Sequence, residues 1–195
     1  MNDDTRERIL KAGAELIHRK GFQGTGLTEI LTAAGTPKGS FYHYFPSKEA
    51  FGLAVLDHFE AGLGEMTRDV MEQPGQSAVS RLGALVARFT AFADARGFAL
   101  GCPVGKLSQE MSEVSEAFRA RLGSRPTPMT GHFAAIIAQG QASGEFAPDL
   151  DPDEAAAFLA NAWQGALMRM KVTRSPAPLA QFERSALRFL AAQPT

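Results

Sequence analysis

The sequence predicts an all-α protein: an N-terminal three-helix head of the helix-turn-helix kind, then a C-terminal helical bundle. Three observations lead there. Apolar residues recur at helical spacing through nearly every segment. No run of alternating β-branched residues bounded by turns occurs in the 195 residues. Clusters of glycine and proline cut the chain into lengths that suit helices, with the sharpest break at Gln73-Pro74-Gly75.

The elements follow in order. A first helix is expected from Asp4, with Glu7 three residues on as a capping box, and with Ile9, Gly13, Leu16 and Ile17 on one face. It closes at Arg19-Lys20-Gly21, where cations meet the last carbonyls and a glycine is free to turn left-handed. A second helix covers 28–34. After a turn at Gly35–Pro37 a third covers 38–44, with Thr36 as its cap and Pro37 in its first turn. A long fourth helix starts after Ser47, whose hydroxyl caps it, and runs to about Glu72. Further helices are expected near 76–96, 103–110, 114–142, 153–173 and 178–192, with Pro126 and Pro128 splitting or kinking the third of these. The chain divides into a head, 1–47, and a larger bundle, 48–195.

Composition narrows the function classes. Hydrophobic residues make up 45% and charged residues 21%, ordinary for a globular protein, and the net charge is −1. A globally basic nucleic-acid coat is therefore excluded, and any nucleic-acid contact must be a local patch. Residues 1–50 carry seven basic and six acidic side chains, a mild asymmetry of the right sign. The acidic start, Met-Asn-Asp-Asp, does not read as a secretory signal, and no apolar run is long enough to span a bilayer. The one cysteine, Cys102, fits a reducing cytoplasm. The four histidines are scattered at 18, 43, 58 and 132, without metal-ligand spacing, and no nucleophile motif or phosphate loop occurs. No catalytic residue, metal or cofactor is expected.

Residues 38–45 separate two tasks at helical spacing. Phe41 and Phe45 share a face that packs on Leu16, Leu27, Ile30 and Leu31, while Gly39, Ser40, Tyr42 and His43 face outward. A glycine there lets backbone approach a groove wall, and the other three side chains reach base edges or phosphates. Lys38 at the helix start, with Thr28 and Lys48 at neighbouring helix starts, suits phosphate oxygens. A Gly-rich turn with aromatics between two helices also serves as plain packing in all-α proteins. Residue types alone leave both readings open.

The run from Gly21 to Phe51, including Gly35-Thr36-Pro37-Lys38-Gly39-Ser40-Phe41-Tyr42-His43-Tyr44-Phe45 and Ser47-Lys48-Glu49, resembles the DNA-binding domain of TetR-family repressors. The resemblance implies DNA-facing roles for Thr28, Thr36, Lys38, Gly39, Ser40, Tyr42, His43, Tyr44 and Lys48. It also implies a homodimer, a near-palindromic double-stranded operator, and an effector site in the C-terminal half. The stripes Phe158/Ala162/Ala166/Met170 and Leu159/Trp163/Leu167, with Leu179, Phe182, Ala186, Phe189 and Leu190, suit either a two-helix dimer face or the chain's own core.

Cys102 stands just before Pro103, where a helix start favours the thiolate, and Lys106 one turn on adds charge if it folds back. A lone cysteine also serves as a small buried hydrophobe. The segment 101–111, with 163–171, resembles the TetR subgroup of NemR-type and AcuR-type repressors, which implies sensor roles for Cys102 and Lys171. Two effector routes stay open. An electrophile or oxidant reacts at Cys102, or a small organic molecule fills an apolar pocket lined by Phe92, Phe98, Trp163 and Met168 beside Arg169 or Lys171. The competing classes are a thiol-dependent enzyme using Cys102 with His132 or His58, and a helical interaction module without DNA binding.

Overall fold

The computed structural model describes residues 2–124 and 126–191. Its helices are α1 (Asn2–Lys20), α2 (Leu27–Ala33), α3 (Phe41–Tyr44), α4 (Lys48–Glu72), α5 (Ala78–Asp94), α6 (Pro103–Met111), α7 (Glu116–Gly123), α8 (Pro128–Ala142), α9 (Pro152–Thr173) and α10 (Ala177–Leu190). Among the described residues the extended pairing is an isolated antiparallel bridge between Phe146 and Ala191. The last helix was expected to reach residue 192, which lies outside the described residues.

Local chemistry sets most of these boundaries. The Ser47 hydroxyl accepts the Ala50 N–H at 2.9 Å, so α4 starts where the sequence predicts. Ser77, Ser115, Thr127 and Asp151 likewise accept N–H groups that would otherwise lack partners in the first turns of α5, α7, α8 and α9. The proline pair does split the predicted 114–142 helix: α7 ends at Gly123, and α8 opens with Pro128 in its first turn. The Asp4 cap is a correction. Helix α1 is already formed at Asn2, and Asp4 lies inside it, paired with Arg8 at 4.0 Å. An acid in the first turn is stabilised by the helix dipole whether or not it is the cap, so the pattern did not fix the start.

The chain forms two compact units. One is Met1–Gly62 with Pro103–Arg125; the other is Leu63–Cys102 with Pro126–Thr195. In the first, Ile9, Ile17, Ile30, Phe41, Phe51 and Phe118 are almost fully enclosed. In the second, Leu82, Phe133, Phe146, Leu159, Trp163 and Phe182 make the core. Helix α4 supplies residues to both: Phe51, Val55 and Leu56 to the first core and Val70 to the second. The units cut the chain differently from the expected division at residue 47.

The sequence reading missed a buried arginine that secures the end of α4. Arg81 donates to the Val70 carbonyl at 2.6 Å, the Gln73 carbonyl at 2.8 Å and the Met71 carbonyl, and its Nε reaches Gln139 at 2.9 Å. These are the carbonyls a helix leaves unpaired at its C-terminus. The signal was present: Arg81 falls in register with Ala78, Leu82 and Leu85, on the buried stripe of α5.

Candidate nucleic-acid interface and sensor residues

The turn before residues 38–45 is held by its backbone. The Thr36 N–H bonds the Leu31 carbonyl at 2.9 Å and the Gly35 N–H bonds that of Thr32 at 3.1 Å, with Gly35 at φ +60. This is a Schellman closure of α2, and the left-handed position favours glycine. Thr36 departs from expectation. It does not cap the next helix: its side chain is buried and its hydroxyl donates to the Ala34 carbonyl at 3.2 Å. Its contribution is to the turn, and its side chain is not on the outward face.

The predicted 38–44 helix is two pieces, a 3-10 turn at Lys38–Ser40 and then α3. Division of labour along it survives the tighter winding. Phe41 and Phe45 are 1% and 3% exposed, with ring centroids 5.5 Å apart, and both rings meet Phe51 of α4. Tyr42 is 65% exposed, and Lys38, Gly39 and His43 are exposed beside it, with Ser40 intermediate. A Cβ added at Gly39 would meet nothing within 4 Å, so this position is open to a large neighbour. Thr28 is exposed at the start of α2. Tyr44 is half-buried and stands edge-on to His43, centroids 4.8 Å apart.

Lys48 is tied into its own unit. Its Nζ donates to the Phe22 carbonyl at 2.9 Å and lies 4.7 Å from the centre of the Phe22 ring. Burial pulls its proton affinity below the ordinary lysine range, opposed by the charge of Glu110. An ammonium has three donors, so the Phe22 bond uses one of them.

The sensor candidates fall into two groups. Cys102 is partly buried at the junction into α6, and Gln164 Nε2 donates to its sulfur at 3.3 Å. A Cβ added at Gly101 would sit 3.6 Å from Lys171 Cδ, so the Lys171 stem runs against the backbone beside the cysteine. Gln164 and Lys171 are two turns apart on one side of α9. Gln164 thus meets the Cys102 sulfur, and Lys171 lies beside the preceding residue, Gly101. Lys106, which would add charge at the thiol if it folded back, donates from Nζ to the Arg19 carbonyl at 2.9 Å.

The four residues read as lining an apolar pocket take different places. Trp163 is a core residue, with its ring 5.0 Å from Phe89 and 5.1 Å from Phe182. Met168, five positions on, turns to the opposite side of α9 and is exposed. Phe92 is exposed beneath the Arg96 guanidinium, and Phe98 packs against the core at φ +54. The histidines suggested for a thiol enzyme are engaged elsewhere. His132 Nε2 pairs with the buried Thr67 hydroxyl at 2.8 Å, and burial lowers its pKa from the ordinary 6.5. His58 lies beside Phe59, in the other unit.

A groove of about 540 Å3 runs between α9 and α10, lined by Phe158, Ala162, Gly165, Arg169, Phe189 and neighbours. The stripes read from sequence separate here. Leu159, Trp163, Leu167, Met170, Leu179, Phe182 and Leu190 go to the chain's own core. Phe158 and Phe189, 54% and 40% exposed with ring centroids 4.8 Å apart, stay outside. Among the described residues no helix is long and apolar enough to cross a membrane, and no cluster of metal-ligating side chains occurs.

Comparison with known proteins agrees with this arrangement. Residues 9–55 match the family described as bacterial regulatory proteins, tetR family, and residues 78–186 match the tetracyclin repressor-like C-terminal domain. The transcriptional regulator AcuR of Cereibacter sphaeroides is 36% identical over 180 residues, covering 92% of this chain and 82% of that protein. The reduced form of Escherichia coli NemR superposes with a TM-score of 0.80 at 31% identity, covering 98% of this chain and 100% of the other. A cysteine mutant of the regulator CifR, solved with 26-bp double-strand operator DNA, superposes with a TM-score of 0.77 at 26% identity, covering 92% and 94%. These relatives are transcription regulators, which sets the enzyme reading aside. The chain belongs to the TetR family of bacterial transcriptional regulators.

Proposed function

We propose that the chain is a homodimeric repressor that holds a near-palindromic operator and releases it when an effector is sensed in the C-terminal half. The observation that carries the DNA-binding part is the contrast within five residues: Phe41 and Phe45 are buried while Tyr42 and His43 stand in solvent. Tyr42, His43, Ser40 and the bare backbone of Gly39 meet base edges and the groove wall. Lys38, Thr28 and the remaining donors of Lys48 meet phosphates, and Tyr44 stiffens the patch from its half-buried position. Two such heads, one per protomer, occupy successive major grooves. The CifR relative solved on operator DNA supports this reading. The place of action is the cytoplasm.

Dimerisation uses the α9–α10 groove. Phe158 and Phe189 supply apolar area, and Ala162 and Gly165 let a symmetry-related helix approach. The effector acts at the Gly101–Cys102 junction, beside Gln164 and Lys171. The Gln164 contact to the sulfur favours reaction at the thiol, and Trp163, next to Gln164 in the chain, takes part as a core residue of the same helix. Effector binding needs only to prefer the form with misaligned heads.

A mobility shift with the chain's own upstream DNA tests the reading. The wild-type protein retains a discrete fragment, and Tyr42→Ala and His43→Ala do not. Failure of the wild-type protein to retain any double-stranded promoter fragment at low ionic strength overturns it. The Cys102→Ser protein separates the effector routes: release by thiol-reactive compounds is lost if the thiol reacts and kept if it does not.

A further inference from the structure

In the unit that carries the recognition helix, α6 grips the turn between α1 and α2. Lys106 Nζ donates to the Arg19 carbonyl at 2.9 Å, in the last turn of α1, where carbonyls lack helix partners. The Gln23 N–H donates to Glu110 Oε2 at 3.0 Å, and Gln23 Nε2 donates to the Glu110 carbonyl at 3.3 Å. The carboxylate enters a space that only glycine leaves open: a Cβ at Gly21, which sits at φ +90, would lie 2.0 Å from Glu110 Oε1.

The other side of the same turn is held by α4. Its first residue, Lys48, donates to the Phe22 carbonyl, and the Glu110 charge acts on that ammonium. Lys48 stands three residues beyond Phe45, which anchors the end of the recognition segment. Helix α7 adds a second hold on α4. Ser115 donates to Glu49, while Arg121 meets Asp57 at 2.6 Å and Glu60 at 2.6 Å, contacts that raise its pKa. The turn 21–24 is thus fixed between α6 and the residue from which α4 sets out.

We infer that Glu110 is a positioning residue for operator recognition, with Lys106 as its companion. Together they hold the α1–α2 turn against Lys48 and so set the angle at which Tyr42 and His43 are presented. They touch no DNA themselves. This role rests on the DNA-binding reading above and adds residues outside the head that tune it.

The test uses the full-length protein and three variants, Glu110→Ala, Glu110→Gln and Lys106→Met. Each is assayed on operator DNA and on an unrelated duplex of equal length, with amide exchange followed at Gln23 and Phe51. A positioning role predicts that Glu110→Ala weakens operator binding about tenfold. Binding to the unrelated duplex changes much less, because it depends on phosphate contacts and not on the presentation of Tyr42 and His43. Glu110→Gln, which keeps an acceptor for the Gln23 N–H, recovers most of the affinity. Lys106→Met falls between them. The Gln23 amide exchanges faster in Glu110→Ala while Phe51 keeps its protection.

Equal operator binding by Glu110→Ala and wild type overturns the inference. Parallel weakening on both duplexes with loss of Phe51 protection marks a head that has simply come apart, and Lys106→Met then decides: an operator-only loss in that variant upholds the positioning role, and no such loss overturns it. Wild-type protein that binds neither duplex instead removes the DNA-binding reading, and the Gln23 exchange result still reports on the clamp.

Discussion

The ring of Phe41 stands edge-on to the ring of Phe51, with centroids 5.4 Å apart and planes at 62°. Phe41 belongs to α3 and Phe51 to α4, so this contact joins the segment that exposes Tyr42 and His43 to the helix leading away from it. Phe45 closes the triangle at 4.9 Å from Phe51.

Truncating the anchor is predicted to abolish recognition without touching a DNA-facing group. Phe41→Ala leaves a cavity in the head and costs about 3–5 kcal/mol. Thermal denaturation and operator binding should fall together. Phe41→Leu, which refills much of the space, should keep measurable binding.

Much of the head was legible because its determinants are local. The Gly35 turn, the Ser47 cap and the Phe41/Phe45 spacing are all set within a few residues, and each stands where the sequence put it. What escaped depends on groups far away in the chain. Thr36 looked like a cap until the Schellman turn buried it, and Lys106 looked placed to reach Cys102 until α1 offered it a carbonyl. Trp163 and Met168, read together as pocket lining, sit on different sides of α9, one buried and one exposed, a placement helical spacing already implied. The 3-10 winding at 38–40 left no mark in residue type that separates it from an α-helical start.

Arg81 is predicted to be a large contributor to the stability of the second unit. Arg81→Met removes the donors to the Val70, Met71 and Gln73 carbonyls and leaves groups at the end of α4 unpaired. Buried unpaired carbonyls cost about 1–3 kcal/mol each, so a decrease of about 2–4 kcal/mol is expected after partial rehydration. Urea unfolding of the variant against the wild type measures it.

His132 gives the second unit a predicted acid sensitivity. Burial holds its pKa below the ordinary 6.5, so the unfolded chain takes up the proton more readily than the folded one. This contribution is therefore fully present above about pH 6.5, and it declines as pH falls toward the lower folded value. Unfolding midpoints measured across that interval should drop for the wild type, with a flatter profile for His132→Gln.

The α9–α10 groove is predicted to be the dimer face. Phe158→Asp places a charge where the Phe158 and Phe189 rings meet, centroids 4.8 Å apart. Sedimentation should show a shift from dimer toward monomer, with operator affinity reduced about tenfold or more because two heads no longer bind together. Helix content should be unchanged, since Phe158 is outside the monomer core.

The most direct measurement is operator affinity against salt concentration for wild type, Lys38→Gln and Tyr42→Ala, read by fluorescence anisotropy on operator and unrelated duplexes. Lys38→Gln is predicted to weaken binding to both duplexes and to lower the slope of log affinity against log salt by about 0.9 for each phosphate left unneutralised. Tyr42→Ala should weaken the operator alone and keep the wild-type slope. Affinities and slopes identical across all three proteins would mean that the exposed side of residues 38–43 does not meet DNA, and would contradict the role assigned to it.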